Sequence, residues 1–415
     1  MRRLVWFLLL VFSFTVPWEY SLNLGGALGS VARFTGILLL AVAIPALLLA
    51  GRMRSPGLLQ WLALAYYLWF VCGCLWTIDE AVTLEKLRAY AQQMLPVWLV
   101  WEFAEEPADL RVLLRAAVAG CWVLALLTVA DFRSVDAFAA GQVRFAAYGQ
   151  DPNDVARFLD LGLPLAALLS CCERRWLARL LALGYLPVGL LAVLLTASRG
   201  GFLASLLAVG GSLLLLTSGR RRVRRVSLIA LPAAALVLLL SVPLATLARL
   251  ATIPEQLSGG DLNQRLNIWM QGWKAFVASP WLGTGAGTFV EAAGVAPMDT
   301  AHNTALTLLV TGGLCALLIA LLLLAASLRA AFATRGTLRL ALGTLLLVWV
   351  ATAMVATVEE SRFTWLLLAV AALAGRLAAE QPGQLAACFQ TRSFYGRTDP
   401  VAASASADIA SVVQS

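Results

Sequence analysis

The chain has 415 residues, 61% hydrophobic and only 13% charged, with 31 Lys and Arg against 23 Asp and Glu and a net charge of +8. A soluble domain carries about 25% charged residues to cover its surface, so a chain of this make-up is not one. The basic residues fall in short clusters between apolar runs. That is the pattern of membrane loops rather than of a phosphate-tracking face, and no nucleic acid is expected as a partner.

A spanning helix needs about 20 apolar residues. Candidate spans follow at 4–17, 34–50, 57–76, 86–103, 110–130, 154–171, 178–197, 201–217, 226–247, 302–328, 338–357 and 362–379. The expected fold is therefore all-α, a polytopic integral membrane protein of about twelve transmembrane helices. The first span follows Arg2 and Arg3. No A-x-A cleavage site comes after it, and Trp18, Glu19 and Tyr20 are poor neighbours for one, so it reads as uncleaved. Cys72, Cys74, Cys121, Cys171, Cys172 and Cys315 fall inside spans and Cys388 in the tail, without metal or disulfide spacing.

Orientation follows from the excess of Lys and Arg on cytoplasmic loops. With Arg2 and Arg3 inside and the sides alternating, the inner loops hold Arg52 and Arg54, then Arg111 and Arg115, then Arg174, Arg175 and Arg179. The GRRRVRR run at 219–225 follows, then Arg329, Arg335 and Arg339, and finally Arg376, Arg392 and Arg397. Of the 31 basic residues, 20 are thereby inside, and both termini are cytoplasmic.

Two long outer segments remain, 131–153 and 248–301. In the second, Leu262, Leu266, Trp269, Trp273, Phe276 and Val277 recur at helical spacing until Pro280. This predicts an amphipathic helix on the outer membrane face with tryptophans at headgroup level. A glycine-rich turn, PWLGTGAGTF, occupies 280–289. Residues 1–380 form one transmembrane unit that includes the 248–301 loop, and the Ala/Ser-rich tail at 381–415 is expected to be disordered and cytoplasmic.

The eleven basic residues left outside are Arg33, Lys86, Arg88, Arg133, Arg144, Arg157, Arg199, Arg249, Arg265, Lys274 and Arg362. Several sit at the outer ends of spans, where charge is costly, and a functional cause is the default reading. The midplane is nearly empty of charge, with Asp160 the deepest exception. The single histidine, His302, follows Thr300, a candidate N-cap, which places it in the first turn of the tenth span. The positive end of the helix dipole disfavours imidazolium there, so the ring is expected neutral and able to accept a proton. The plain alternative is an interfacial histidine that bonds a headgroup or a loop carbonyl.

Arg199 lies in TASRGGF at a tight turn, with Gly200 and Gly201 expected to let backbone amides approach an anion. Arg265 is one turn from Trp269 on the amphipathic helix; snorkelling to lipid phosphate is its alternative role. Asp154 or Asn153 is expected to cap the sixth span, and Glu359 or Glu360 to pair with Arg362. No metal-ligand spacing or P-loop is visible. Guanidinium forks match phosphate oxygens and can hold a diphosphate leaving group, while a neutral imidazole takes a proton from an attacking hydroxyl. The candidate set is thus His302, Arg199 and Arg265 as catalytic residues, with Arg144, Arg157, Asn303, Arg362 and Trp269 as substrate contacts.

SRGG at 198–201, RLNIWMQGWKAFVASPWLGTGAGTF at 265–289 and HNTALTLLVTGG at 302–313 resemble, in this order, the O-antigen ligase and O-antigen polymerase superfamily of bacterial envelope enzymes. GQDPN at 149–153 fits a looser family segment. The resemblance covers roughly 140 to 315. It implies that Arg199, Arg265 and His302 match the family's essential positions. It also implies a glycan donor on undecaprenyl diphosphate, no metal or other cofactor, and a periplasmic site in the bacterial inner membrane. Within the family the ligase is favoured, whose acceptor is a hydroxyl of lipid A–core. The O-antigen polymerase and the protein O-oligosaccharyltransferases are the alternatives. From other classes, a secondary transporter or lipid flippase places ionisable groups near the midplane at a repeat interface, and neither feature is found here. The outer arginines speak against a purely structural subunit.

Overall fold

The computed structural model describes residues 1–25, 29–134, 141–218, 240–260, 264–297 and 299–390. The helices are α1 Arg2–Thr15, α2 Val31–Ala50, α3 Leu58–Cys72, α4 Glu80–Gln93, α5 Leu95–Phe103, α6 Pro107–Phe132, α7 Pro152–Cys172, α8 Trp176–Leu195 and α9 Arg199–Thr217. They continue with α10 Leu244–Ala251, α11 Ile253–Ser258, α12 Arg265–Ala278, α13 Phe289–Ala293, α14 Thr304–Ala333, α15 Gly336–Ala353, α16 Arg362–Glu380 and α17 Pro382–Cys388. Among the described residues there is no strand beyond an isolated bridge between Asn23 and Ser30. The chain is an all-α polytopic membrane protein.

Nine of the described helices are long and apolar enough to cross a membrane. Three of the expected spans account for the difference from twelve. The first, α1, has 14 residues and is lengthened by the 3-10 turn Val16–Trp18. The fourth is not one helix but two, α4 and α5, which meet at Met94. Pro96 cannot donate a backbone bond, and α5 restarts around it. The ninth, 226–247, lies largely outside the described residues, as does the basic run at 219–225.

Helices α7 and α16 are buried nearly all round, while their neighbours expose apolar faces. An apolar helix with no polar face belongs at the centre of a bundle. The polar contacts gather at its two ends. At one, Arg2 pairs with Glu105 at 2.8 Å, Arg115 grips Glu173 through two bonds of 2.6 Å, and buried Arg376 donates to the carbonyls of Trp101 and Ala104. At the other, the His302 end, Arg144, Arg199, Arg249 and Arg265 come together.

The tail departs from expectation. Rather than becoming disordered at 381, the chain forms α17 and docks at the Arg2 end. Leu385 and Phe389 are buried there, and the Phe389 carbonyl accepts from Thr337 at 2.7 Å. These two buried apolar side chains anchor the segment. Residues 391–415 lie outside the described residues.

The glycine-rich run 280–289 is built into a break in α14. Gly313 has φ 65°, and a Cβ there would lie 2.2 Å from the Trp281 carbonyl oxygen. The helix carbonyls freed by the break accept from Thr284 N at 3.0 Å, Gly285 N at 2.9 Å and Trp69 Nε1 at 2.8 Å. Buried backbone groups require such partners. Ile268 and Phe276 of α12 pack on Phe289, Ala293, Ala301, Leu306 and Val310, so α12 is fixed on the start of α14. Its opposite face exposes Leu266, Met270, Trp273 and Val277.

Candidate active site

Three turns deliver the predicted catalytic residues to one place. The first is 196–198, between α8 and α9. Ser198 caps α9, accepting from Gly201 N at 3.2 Å, and Arg199 opens the helix. The second is the start of α12, where Gln264 is the N-cap and Arg265 the first helical residue. The third precedes α14, whose N-cap is Asn303 rather than Thr300. The Asn303 Oδ1 accepts from Leu306 N at 3.1 Å, so His302 lies just ahead of the first turn instead of inside it. The cap is chosen by geometry, since Asn303 is extended at φ −159°.

Among the described residues, the positive-φ non-glycine positions are Ala197 (φ 48°), Gln264 (φ 64°) and His302 (φ 44°). Each falls within two residues of a predicted catalytic side chain. A left-handed non-glycine residue costs about 1–3 kcal/mol and persists where its surroundings over-determine it. Such strain is independent of the charge pattern that singled out the same three places.

Arg144 ties the loop after α6 to this cluster, donating from Nε to the Thr196 carbonyl at 3.2 Å and from Nη2 to Asn153 Oδ1 at 3.0 Å. Ser198 Oγ donates to the same Asn153 oxygen at 2.8 Å. Arg199 Nε donates to the Arg249 carbonyl at 3.4 Å, and Arg249 Nε returns a bond to the Ala197 carbonyl at 3.3 Å. Arg265 Nη1 donates to the Val355 carbonyl at 3.2 Å. Among the described contacts, Arg144, Arg249 and Arg265 thus bond to neutral oxygens. Burial lowers the pKa of all three, and neighbouring guanidiniums lower them further, Arg249, Arg265 and Arg199 for Arg144 and Arg199 for the other two. The His302 pKa is also lowered, first by burial and then by Arg265, while Asp151, Asp154 and Asp299 oppose the shift. The His302 ring is therefore held towards its neutral form beside a group of guanidiniums that Asp151 only partly offsets, with burial the larger cause.

A small cleft opens between the start of α7, the start of α9 and the end of α15, with Asn153, Arg157, Ser198, Arg265, Thr352 and Val355 on its walls. Arg157 is buried; its Nη2 pairs with Asp154 at 2.9 Å, while Nε and Nη1 have no partner among the described residues. The glycines beside Arg199 line the same cleft and also allow close packing. A Cβ on Gly201 would lie 2.4 Å from Ala156 Cβ, and one on Gly200 2.8 Å from Val355 Cγ2.

Other candidates are engaged elsewhere. Asn303 is spent on the cap and on a 3.4 Å bond from Nδ2 to the Met354 carbonyl. Trp269 Nε1 donates to the Ala301 carbonyl at 2.7 Å, which fixes the peptide before His302. Arg362 pairs with Glu19, both buried, rather than with Glu359 or Glu360, and Glu360 pairs with Lys86 at 2.8 Å. The cap of α7 is Asp151, whose Oδ1 accepts from Asn153 N at 2.7 Å, because Pro152 takes the first helical position.

Sequence reasoning missed the crossing at 354–358, which receives Arg265, Asn303 and Thr304 on the carbonyls of Val355, Met354 and Ala356. Main-chain acceptors leave no trace in residue identity. It also gave no role to Arg249, whose position in an outer segment beside Pro243 was the available signal. Among the described residues, no three His, Cys, Asp or Glu side chains come together as a metal site.

Residues 184–321 match the family model described as O-antigen ligase. No curated protein matches the chain.

Proposed function

We propose, on the premise that residues 184–321 make the chain a member of the O-antigen ligase/polymerase superfamily, that it is a ligase moving a glycan from undecaprenyl diphosphate to a hydroxyl of lipid A–core. The family points to a glycosyltransferase-like enzyme, and the multi-pass helices point to lipid-linked substrates. One observation carries the reading further. A half-buried neutral histidine sits beside Arg265, within a group of guanidiniums that bond to main-chain and amide oxygens.

In the reaction we infer, the acceptor hydroxyl oxygen bonds to the anomeric carbon of the donor as the carbon–oxygen bond to the diphosphate breaks. The hydroxyl proton passes to the free ring nitrogen of His302. Arg199 and Arg265 hold the departing diphosphate by bidentate, charge-assisted bonds, which grow stronger as charge develops on the leaving oxygen. A single displacement of this kind inverts the anomeric centre and gives the metal no step to perform. The site end of the bundle then faces the periplasm and both termini the cytoplasm, in the inner membrane.

Purified protein in detergent, given lipid-linked glycan and in turn lipid A–core, a second lipid-linked glycan or a serine-containing peptide, tests the reading. Glycan should move to lipid A–core in excess chelator. Transfer to another acceptor reassigns the enzyme within the superfamily. A strict need for added divalent metal rejects the arginine mechanism, and activity confined to sealed vesicles points to transport.

A further inference from the structure

Glu359 stands apart from the chemistry just described. It lies between α15 and α16 and is 5% exposed; among the described residues no donor meets its carboxylate at full hydrogen-bond geometry, although the Thr304 hydroxyl is close enough to favour its charged form. The groups that face it come from every element around it: Tyr66 on α3, Tyr90 and Lys86 on α4, Thr304 on α14, and Glu360 beside it. Lys86 already pairs with Glu360. Its own main-chain carbonyl accepts from Trp365 Nε1 at 2.9 Å.

The neighbour that matters is Thr304. Its hydroxyl donates to the Ala356 carbonyl at 3.0 Å and accepts from Val358 N at 2.9 Å, so one side chain clamps both sides of the 354–358 crossing. That crossing carries the acceptors for Arg265 and Asn303, and Thr304 is two residues from His302. A buried carboxylate without a donor is costly, and it takes hydrogen bonds from the nearest hydroxyl more strongly than a carbonyl does.

We propose that Glu359 is a positioning residue for the transfer site: uncharged, it leaves Thr304 bonded to Ala356, and ionised, it draws the Thr304 proton to itself and loosens the crossing that holds Arg265 and Asn303, the neighbour of His302. Burial and the adjacent Glu360 raise its pKa well above the usual carboxylate range, so the uncharged form extends to ordinary working pH. The inference rests on the proposed transfer reaction for its kinetic effect, but not for the movement itself.

Two measurements test it. In the first, kcat/KM for transfer is followed against pH for wild type, Glu359→Gln and Thr304→Val. Wild type should lose activity on the alkaline side of neutrality, in addition to the acid loss caused by His302. Glu359→Gln, which cannot ionise, should abolish the alkaline loss and keep the acid one. Thr304→Val should lower kcat/KM about tenfold or more at every pH, with no alkaline inflection left. The second needs neither turnover nor a variant: because the chain has one histidine, its ring resonances in wild type report His302 alone. They should show a further inflection above the histidine's own titration. An alkaline loss that persists in Glu359→Gln, or ring resonances without that inflection, overturns the proposal. If no transfer is found with any acceptor while the second inflection is present, the functional reading fails and the coupling stands.

Discussion

Arg362 offers the sharpest conflict between the two ways of reading this chain, because the sequence marks it as a substrate contact and the structure gives it to Glu19. Their side chains are 9% and 2% exposed, and Ser30 Oγ adds a bond to Glu19 at 3.4 Å. Burial raises the Glu19 pKa despite the attraction of Arg362, so desolvation outweighs the pairing and the bridge is not itself a large net stabiliser. A folded pKa above the unfolded one means that the folded state holds this proton more tightly. Its contribution is lost as pH rises through that window, so the pair is not a source of acid lability. Breaking it on one side is another matter. Glu19→Leu or Arg362→Met leaves a polar or charged group buried without its partner, at a cost of about 3–5 kcal/mol. Glu19→Leu combined with Arg362→Met should recover to within about 1 kcal/mol of wild type. Unfolding midpoints of the four proteins in detergent give the cycle, and donor KM on the same samples should stay within about twofold. An Arg362→Met protein of normal stability with a strongly raised donor KM would refute the structural assignment and return Arg362 to the substrate.

Three further outcomes follow from the site. Arg199→Lys and Arg265→Lys keep the charge but lose the fork, and each should lower kcat by about 10²–10³, read as transfer at saturating donor; near-normal rates would make both residues lipid anchors. Because the His302 pKa is lowered by burial and Arg265, kcat/KM should fall with acidification only below the ordinary histidine range. His302→Ala should bind donor normally while turnover falls by about 10²–10⁴, and intact binding with normal turnover would end its role as base. Gln264→Gly relieves a left-handed residue and should be nearly neutral, whereas Gln264→Val should cost at least about 1–2 kcal/mol and shift Arg265, seen as a raised donor KM.

The spans were legible because hydrophobic length is a one-dimensional property, and α6, α7, α8 and α14 fall where the apolar runs do. The candidate set was legible for a different reason: charge at the end of a span is costly, so Arg199 and Arg265 stand out as residues, and the structure brings both near His302. What failed depended on partners distant in sequence. Nothing near Arg362 signals Glu19, 343 residues away, and nothing beside Phe389 signals that it is buried at the Arg2 end. The fourth span failed locally, since the apolar run 86–103 contains Pro96, around which a second helix begins.

The backbone at the site adds a constraint that side-chain chemistry alone does not. Ala197, Gln264 and His302 carry ordinary side chains in a conformation that glycine would adopt more cheaply. At 302 a glycine would carry no imidazole, and its freedom would let the peptide before Asn303 wander. The three strained peptides are each fixed from outside: the 196–198 turn by Arg144 and Arg249 on its carbonyls, the start of α12 by Val355, and the peptide before His302 by Trp269. In two of these places the fixing group is itself a guanidinium that the chemistry would use. Side chains that hold the backbone in place are therefore not spare, and replacing any one of them should move both the charge and the loop it anchors. Arg144→Gln should accordingly lower donor affinity and also increase exchange of the Ala197 amide, which bonds the Leu194 carbonyl at 3.0 Å. A loss of affinity with that amide as protected as in wild type would separate the two roles and show that Arg144 supplies charge alone.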